Sequence, residues 1–183
     1  MFVDHYNDQI FKNNNTNIGI IYRNYSDSNR KNELKKIAKA CKKKRYQLFV
    51  SNDIKLAIKE KADGIYIPSF NKSKKFLNLE KKNFTIIGSA HNQKQIHEKI
   101  LQKCKAIFLS PVFNIKKKNY FLNLHKFNFL TFSNKVKFIA LGGINNQNFQ
   151  KLKLLKITGF AGIRIFKKKT GLLKAGFLKN NFF

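Results

Sequence analysis

Cysteine is scarce in this 183-residue chain, occurring only at Cys41 and Cys104. Two isolated thiols make neither a disulfide framework nor a zinc spacing, and a cytoplasmic protein with two reduced thiols is the simplest expectation. No apolar run approaches about 18 residues, which excludes a membrane-spanning helix. The opening MFVDHYNDQI lacks a basic stretch and an apolar stretch, so no signal peptide is expected in it. Acidic residues number nine against 38 basic ones, a formal net charge of +29. Arginine is nonetheless rare, standing only at Arg23, Arg30, Arg45 and Arg164. It is the side chain suited to forked phosphate and base contacts. Lysines spread along the chain beside abundant Asn, Ile and Phe point to compositional bias rather than a dedicated nucleic-acid face. Weak, non-specific, salt-sensitive binding of polyanions is all that follows.

What the chain does have is apolar residues, 43% of the total with 19 Phe, enough for one folded domain over residues 1–183. They fall in a repeating order. The runs NIGIIY (17–22), YQLFV (46–50), GIYI (64–67), FTIIG (84–88), AIFLS (106–110), VKFIALG (136–142) and AGIRIF (161–166) read as strands. Between them, 32–41, 53–61, 92–103 and 145–156 have helical spacing, with Ile96, Ile100 and Leu101 as the stripe of the third. A short helix is expected within 71–81, a loop from 110 to about 120, and a weak last helix over 168–179. MFVD adds the stub of an eighth strand. Continuously apolar strands alternating with helices indicate a parallel sheet covered on both faces. Eight of them suit a small (β/α)8 barrel with a shortened first βα unit. No G-x-G-x-x-G follows the first strand, which argues against a dinucleotide-binding open sheet.

Barrel chemistry sits at the carboxyl ends of the strands, so the residues just after each run carry the functional argument. They include Arg23, with a fork for phosphate, and Asn52–Asp53, where Asp53 suits either a helix cap or Mg2+. Ser89 and His91 follow, the histidine suited to acid–base work near neutral pH. Next come Ser110 and a loop with Lys116, Lys117 and Lys118. The seventh strand ends on Gly142 and Gly143 before Ile144. Bare glycines there let an anion approach main-chain N–H groups. The eighth offers Arg164 and the Lys167–Lys169 run.

The succession YRN, SND followed by ADGIYIP, IIGSAHN, FLSPVF, ALGGINNQN and GFAGIRIF resembles the thiamine phosphate synthase/TenI family over about residues 17–167. The resemblance implies thiamine biosynthesis by a single barrel. A synthase joins a thiazole phosphate to hydroxymethylpyrimidine diphosphate, using Mg2+ and releasing pyrophosphate. A TenI-type tautomerase isomerises a thiazole phosphate without a metal. The implied roles place Arg23 on the pyrimidine diphosphate, Asn52 and Asp53 beside diphosphate and metal, and Lys118 on the pyrophosphate. Gly142, Gly143 and Ile144 would seat the thiazole phosphate, and His91 would be the acid–base group. Ser89 and Ser110 complete the candidate binding set.

Several positions depart from the family pattern. Ile21 and Tyr25 stand where synthases carry the glutamine and lysine of Q-x-R-x-K, and Asn71 stands where they carry a second metal carboxylate. The alternatives to a synthase are therefore a tautomerase, or a non-catalytic protein that binds phosphate ligands or polyanions. The expected setting is cytoplasmic, without a membrane and with a homodimer as an open assembly. Gly143→Val is expected to block phosphate docking while sparing the fold.

Overall fold

The computed structural model describes residues 1–12, 18–25, 28–82, 84–115 and 120–162. Lys116 to Lys118, Arg164, the Lys167–Lys169 run and the helix expected over 168–179 lie outside them. Eight strands appear: β1 (Phe2–Val3), β2 (Gly19–Tyr22), β3 (Gln47–Ser51), β4 (Gly64–Ile67), β5 (Thr85–Ala90), β6 (Ala106–Leu109), β7 (Lys137–Leu141) and β8 (Gly159–Ala161). They form one sheet in chain order, every neighbouring pair parallel. The result is a nearly closed (β/α)8 barrel, as the apolar runs predict, except that β8 is GFA at 159–161 and most of the run AGIRIF (161–166) lies outside the described residues.

Strand alternation explains how these runs are buried on both faces. Phe2, Ile21, Phe49, Tyr66, Ile87 and Phe108 fall in an inner cluster, which also takes Ala161 from the last strand. Their neighbours Ile20, Val50, Ile65, Ile107 and Ala140 join an outer cluster with helix residues such as Leu34, Ile37 and Leu56. Each large aliphatic or Phe side chain among them contributes roughly 1.5–3 kcal/mol by leaving water. Phe2, Tyr66 and Phe108 pack edge to face, with ring centroids 5.3, 5.8 and 5.7 Å apart. The barrel centre is thus a filled core rather than a pore.

Among the described residues, five α-helices cover the outside: α1 (Asp8–Phe11), α2 (Arg30–Lys44), α3 (Ile54–Lys59), α4 (Gln93–Leu101) and α5 (Asn123–Phe132). The first is four residues long, consistent with a shortened first unit. Three details differ from the sequence reading. α5 was not expected, because NLHKFNFLTF has no clean stripe: Phe127 and Leu130 are buried while Phe129 and Phe132 are 80% and 78% exposed. Residues 145–156 do not form a full α-helix but a 3₁₀ helix, Phe149–Leu154. There the Asn145 side chain accepts from the N–H groups of Gln147 and Asn148, and Asn148 accepts from that of Asn145. Asparagine side chains that take up backbone donors compete with helix formation. Finally, the stripe of α4 is Ile96 and Lys99, both fully buried, with Ile100 and Leu101 37% and 52% exposed. The segment expected to hold a short helix carries the 3₁₀ helix Leu77–Lys82.

Candidate functional site at the carboxyl rim

Because all eight strands run parallel, the residues after β2, β3, β5, β6 and β7 stand on one rim of the barrel. That rim carries Arg23, Asn52, Asp53, His91, Ser110, Gly142 and Gly143, together with Ser89 near the end of β5.

On the β2 side, Arg23 donates its backbone N–H to Val3 O, and its guanidinium lies 5.3 Å from the Phe2 ring centroid. It therefore stands over the inner aromatic cluster. Its charge also acts on Tyr66, whose hydroxyl is held near pKa 12, chiefly by burial, while a bond with Ser89 and the Arg23 charge oppose the rise. Tyr66 is a rim-side group that the sequence reading passed over; its inward place in the alternation of GIYI was the available signal.

Asp53 is committed to two partners. Its Oδ1 accepts from Leu56 N at 2.9 Å, which caps α3. Its Oδ2 pairs with Arg30 Nη1 at 3.3 Å. Arg30 was also overlooked, since it looks like the first residue of a solvated basic helix. Its Nη2 donates to Ser51 O at 2.9 Å, and its guanidinium lies 5.9 Å from the Tyr22 ring and 5.7 Å from the Tyr25 ring.

Asn52 has φ 61°, a left-handed conformation that asparagine tolerates better than most residues. Its side-chain oxygen accepts from the Asn71 amide. Behind Asn71 lies Lys99, whose Nζ donates to Asn71 O at 2.7 Å and to Gln102 Oε1 at 2.8 Å. Gln102 in turn donates to Asn71 O and Ser73 O. A buried ammonium thus clamps the loop after β4, and burial lowers its pKa. Gly88 makes room for it, because a Cβ there would lie 2.8 Å from Lys99 Cδ.

On the opposite side, His91 Nδ1 lies 2.7 Å from Ser110 O and 3.2 Å from Ser110 Oγ. A carbonyl oxygen only accepts, so Nδ1 carries the hydrogen and Nε2 is left as the basic nitrogen of the neutral ring. Gly142 and Gly143 have φ 93° and 73°. The segment Pro111–Phe113 lies directly against them, with Val112 N donating to Leu141 O and Phe113 N to Gly142 O. A Cβ on Gly143 would come within 2.4 Å of Phe113 O. The double glycine is thus required first by backbone conformation and by this close packing. Gly143→Val would disturb the fold itself, contrary to the sequence expectation. Among the described residues, the N–H groups of Gly143 and Ile144 donate to no acceptor.

Mg2+ is held by one or two carboxylates with waters and substrate phosphates. Among the described residues, Asp4 follows β1 and Asp53 follows β3, and Asp53 caps a helix and pairs with an arginine. Asn71 offers an amide instead, whose oxygen accepts from Ser73 N. No group of three or more His, Cys, Asp and Glu among the described residues could hold a metal ion. Among the described residues, the donor set does not build a Mg2+ site from protein ligands alone.

Parallel strands in chain order, an apolar filled centre and polar strand ends gathered on one rim define a (β/α)8-barrel protein. The family model described as thiamine monophosphate synthase matches residues 10–166. A thiamine-phosphate synthase of Prochlorococcus marinus subsp. pastoris is 33% identical over 146 residues, covering 74% of this chain and 40% of that protein. A second, from Prochlorococcus marinus strain SARG, is 28% identical and covers 72% and 39%. The solved thiamine phosphate pyrophosphorylase from Pyrococcus furiosus has the same fold, with a TM-score of 0.74 at 16% identity, covering 88% of this chain and 81% of that one. The chain belongs to the thiamine monophosphate synthase family. It spans about 40% of the length of the curated relatives it matches. No helix among the described residues is long and apolar enough to cross a membrane.

Proposed function

We propose that this barrel joins a thiazole phosphate to hydroxymethylpyrimidine diphosphate, making thiamine phosphate. One bond forms between the two heterocycles, and the bond to the diphosphate breaks, leaving pyrophosphate. The observation that carries this reading is the convergence of the strand-end segments of the family pattern on one rim, in a chain 33% identical to a thiamine-phosphate synthase. Neither curated relative is described as a tautomerase.

In this reading Arg23 draws the pyrimidine diphosphate over the aromatic floor of Phe2, Tyr66 and Phe108. The amides of Gly143 and Ile144 seat the thiazole phosphate, which suits backbone donors at a turn of positive φ. Ser89, Ser110 and Asn52 line the approach, and the family resemblance assigns the pyrophosphate contact to Lys118, which lies outside the described residues. His91, with Nε2 as its basic nitrogen, positions or accepts a proton at the reacting ring. Mg2+ accompanies the synthase reading, yet the residues around Asp53 do not build a site for it, and no step is routed through the ion. The partners are small phosphorylated heterocycles, and the setting is cytoplasmic.

The test is turnover by purified protein given both substrates, with and without Mg2+. Thiamine phosphate should form. A protein that converts neither substrate, or isomerises a thiazole phosphate alone, is not a synthase.

A further inference from the structure

The best placed cation on the β2–β3 side of the rim belongs to no strand end. Arg30 opens α2, and its side chain is 18% exposed. The planar group lies near the Tyr22 and Tyr25 rings, 5.9 and 5.7 Å from their centroids. Tyr25 is itself fixed by a hydrogen bond between its hydroxyl and that of Ser51. Ser51 O and Asp53 Oδ2 take one hydrogen bond each from Nη2 and Nη1. The Nε–H is buried and has no acceptor among the described residues. A guanidinium has five N–H donors in a fixed fork, made for oxyanions. The carboxylate it touches is shared with the cap of α3, so Asp53 does not saturate it.

Three facts thus coincide at the ends of β2 and β3. A guanidinium is held flat and in place, part of its donor set is unused, and the carboxylate expected to carry a metal is turned toward that arginine. A cation at this position does part of what a divalent ion does for a polyphosphate, by neutralising its charge. We propose that Arg30 is a second anchoring residue for the substrate diphosphate beside Arg23, and that it holds this anion without a protein-built divalent-cation site. The proposal rests on the synthase reading for the identity of the anion, but the binding of a diphosphate group can be measured apart from turnover.

The probe is inorganic pyrophosphate, titrated calorimetrically into the full chain in EDTA at low salt. Wild-type protein should bind it. Arg30→Gln should weaken binding by about tenfold or more, the worth of a charge-assisted contact. Arg30→Lys, which keeps the charge but loses the fork, should fall between. Lys36→Gln removes a cation from the exposed side of the same helix, where its partner is Glu33, and should leave the affinity unchanged. In the wild type, the arginine Nε–H resonance assigned to Arg30 should shift on adding pyrophosphate, which needs no variant to fold. No binding by the wild type, an unmoved resonance, or equal affinity in a folded Arg30→Gln would overturn the proposal. A purely structural Arg30 lowers the unfolding temperature of Arg30→Gln and spares its affinity. Pyrophosphate bound through Arg30 by a protein that makes no thiamine phosphate sinks the synthase reading and leaves the anchor standing. Turnover with an unchanged KM for the pyrimidine diphosphate in Arg30→Gln does the reverse.

Discussion

Two sectors of the rim are built on opposite principles. From β2 to β4, side chains hold side chains: Arg30 with Asp53, Asn52 with Asn71, and Lys99 and Gln102 beneath the Asn71 carbonyl. From β6 to β7, main chain holds main chain: Pro111–Phe113 lies against Gly142–Gly143, and two amides meet no acceptor among the described residues. The contrast teaches where this protein tolerates change. A network of side chains has several members and loses them one at a time. A backbone seat has no spare volume, so any added atom is felt at once.

The sharpest way to break the comparison is to add volume to the backbone sector. Gly143→Val places a β-branched residue at φ 73° with its Cβ 2.4 Å from Phe113 O. The left-handed conformation and the overpacking together should cost about 2–5 kcal/mol, read as a lower urea midpoint. A midpoint within error of wild type would show that the Pro111–Phe113 segment yields freely. His91 stands between the sectors. His91→Ala should lower kcat about a hundredfold, the low side of what acid–base groups supply, with KM and unfolding temperature nearly unchanged. Complete loss of turnover would instead assign His91 an obligatory proton transfer.

The side-chain sector should prove more forgiving. Lys99→Met removes a buried charge and leaves Gln102 to bond Asn71 O, but Gln102 Oε1 loses its donor, so stability at neutral pH should fall by about 1–3 kcal/mol. The pH dependence is the finer readout. Burial lowers the Lys99 pKa below its ordinary 10.5, so between the two values the unfolded chain binds a proton that the fold does not. Wild-type stability relative to Lys99→Met should therefore rise with pH across that window. A flat difference would mean the ammonium is not desolvated. The smallest effect belongs to Asp53→Asn. Asparagine caps a helix nearly as well as aspartate, so only the partly exposed pair with Arg30 is lost, about 0.5 kcal/mol by chemical denaturation.

The barrel was legible because its strands are buried on both faces. Runs such as GIYI and TIIG can hardly be anything else, and their order fixed the rim. α5 was not legible because Phe129 and Phe132 put apolar residues on its solvent side. Lys99 hid among a chain full of lysines, although its place three residues after Ile96 on one helix face was a usable signal. Arg30 gave no sign at all, since its role depends on Tyr25, Ser51 and Asp53, which only the fold brings beside it. Gly142–Gly143 was found for its freedom of φ, but the Pro111–Phe113 packing that also demands glycine is a tertiary fact.

The most direct measurement mixes purified protein with thiazole phosphate and hydroxymethylpyrimidine diphosphate and follows both products by mass spectrometry. Thiamine phosphate and pyrophosphate should accumulate in equal amounts, faster than in a matched mixture without protein. A folded protein that binds both compounds and releases neither product would contradict the account.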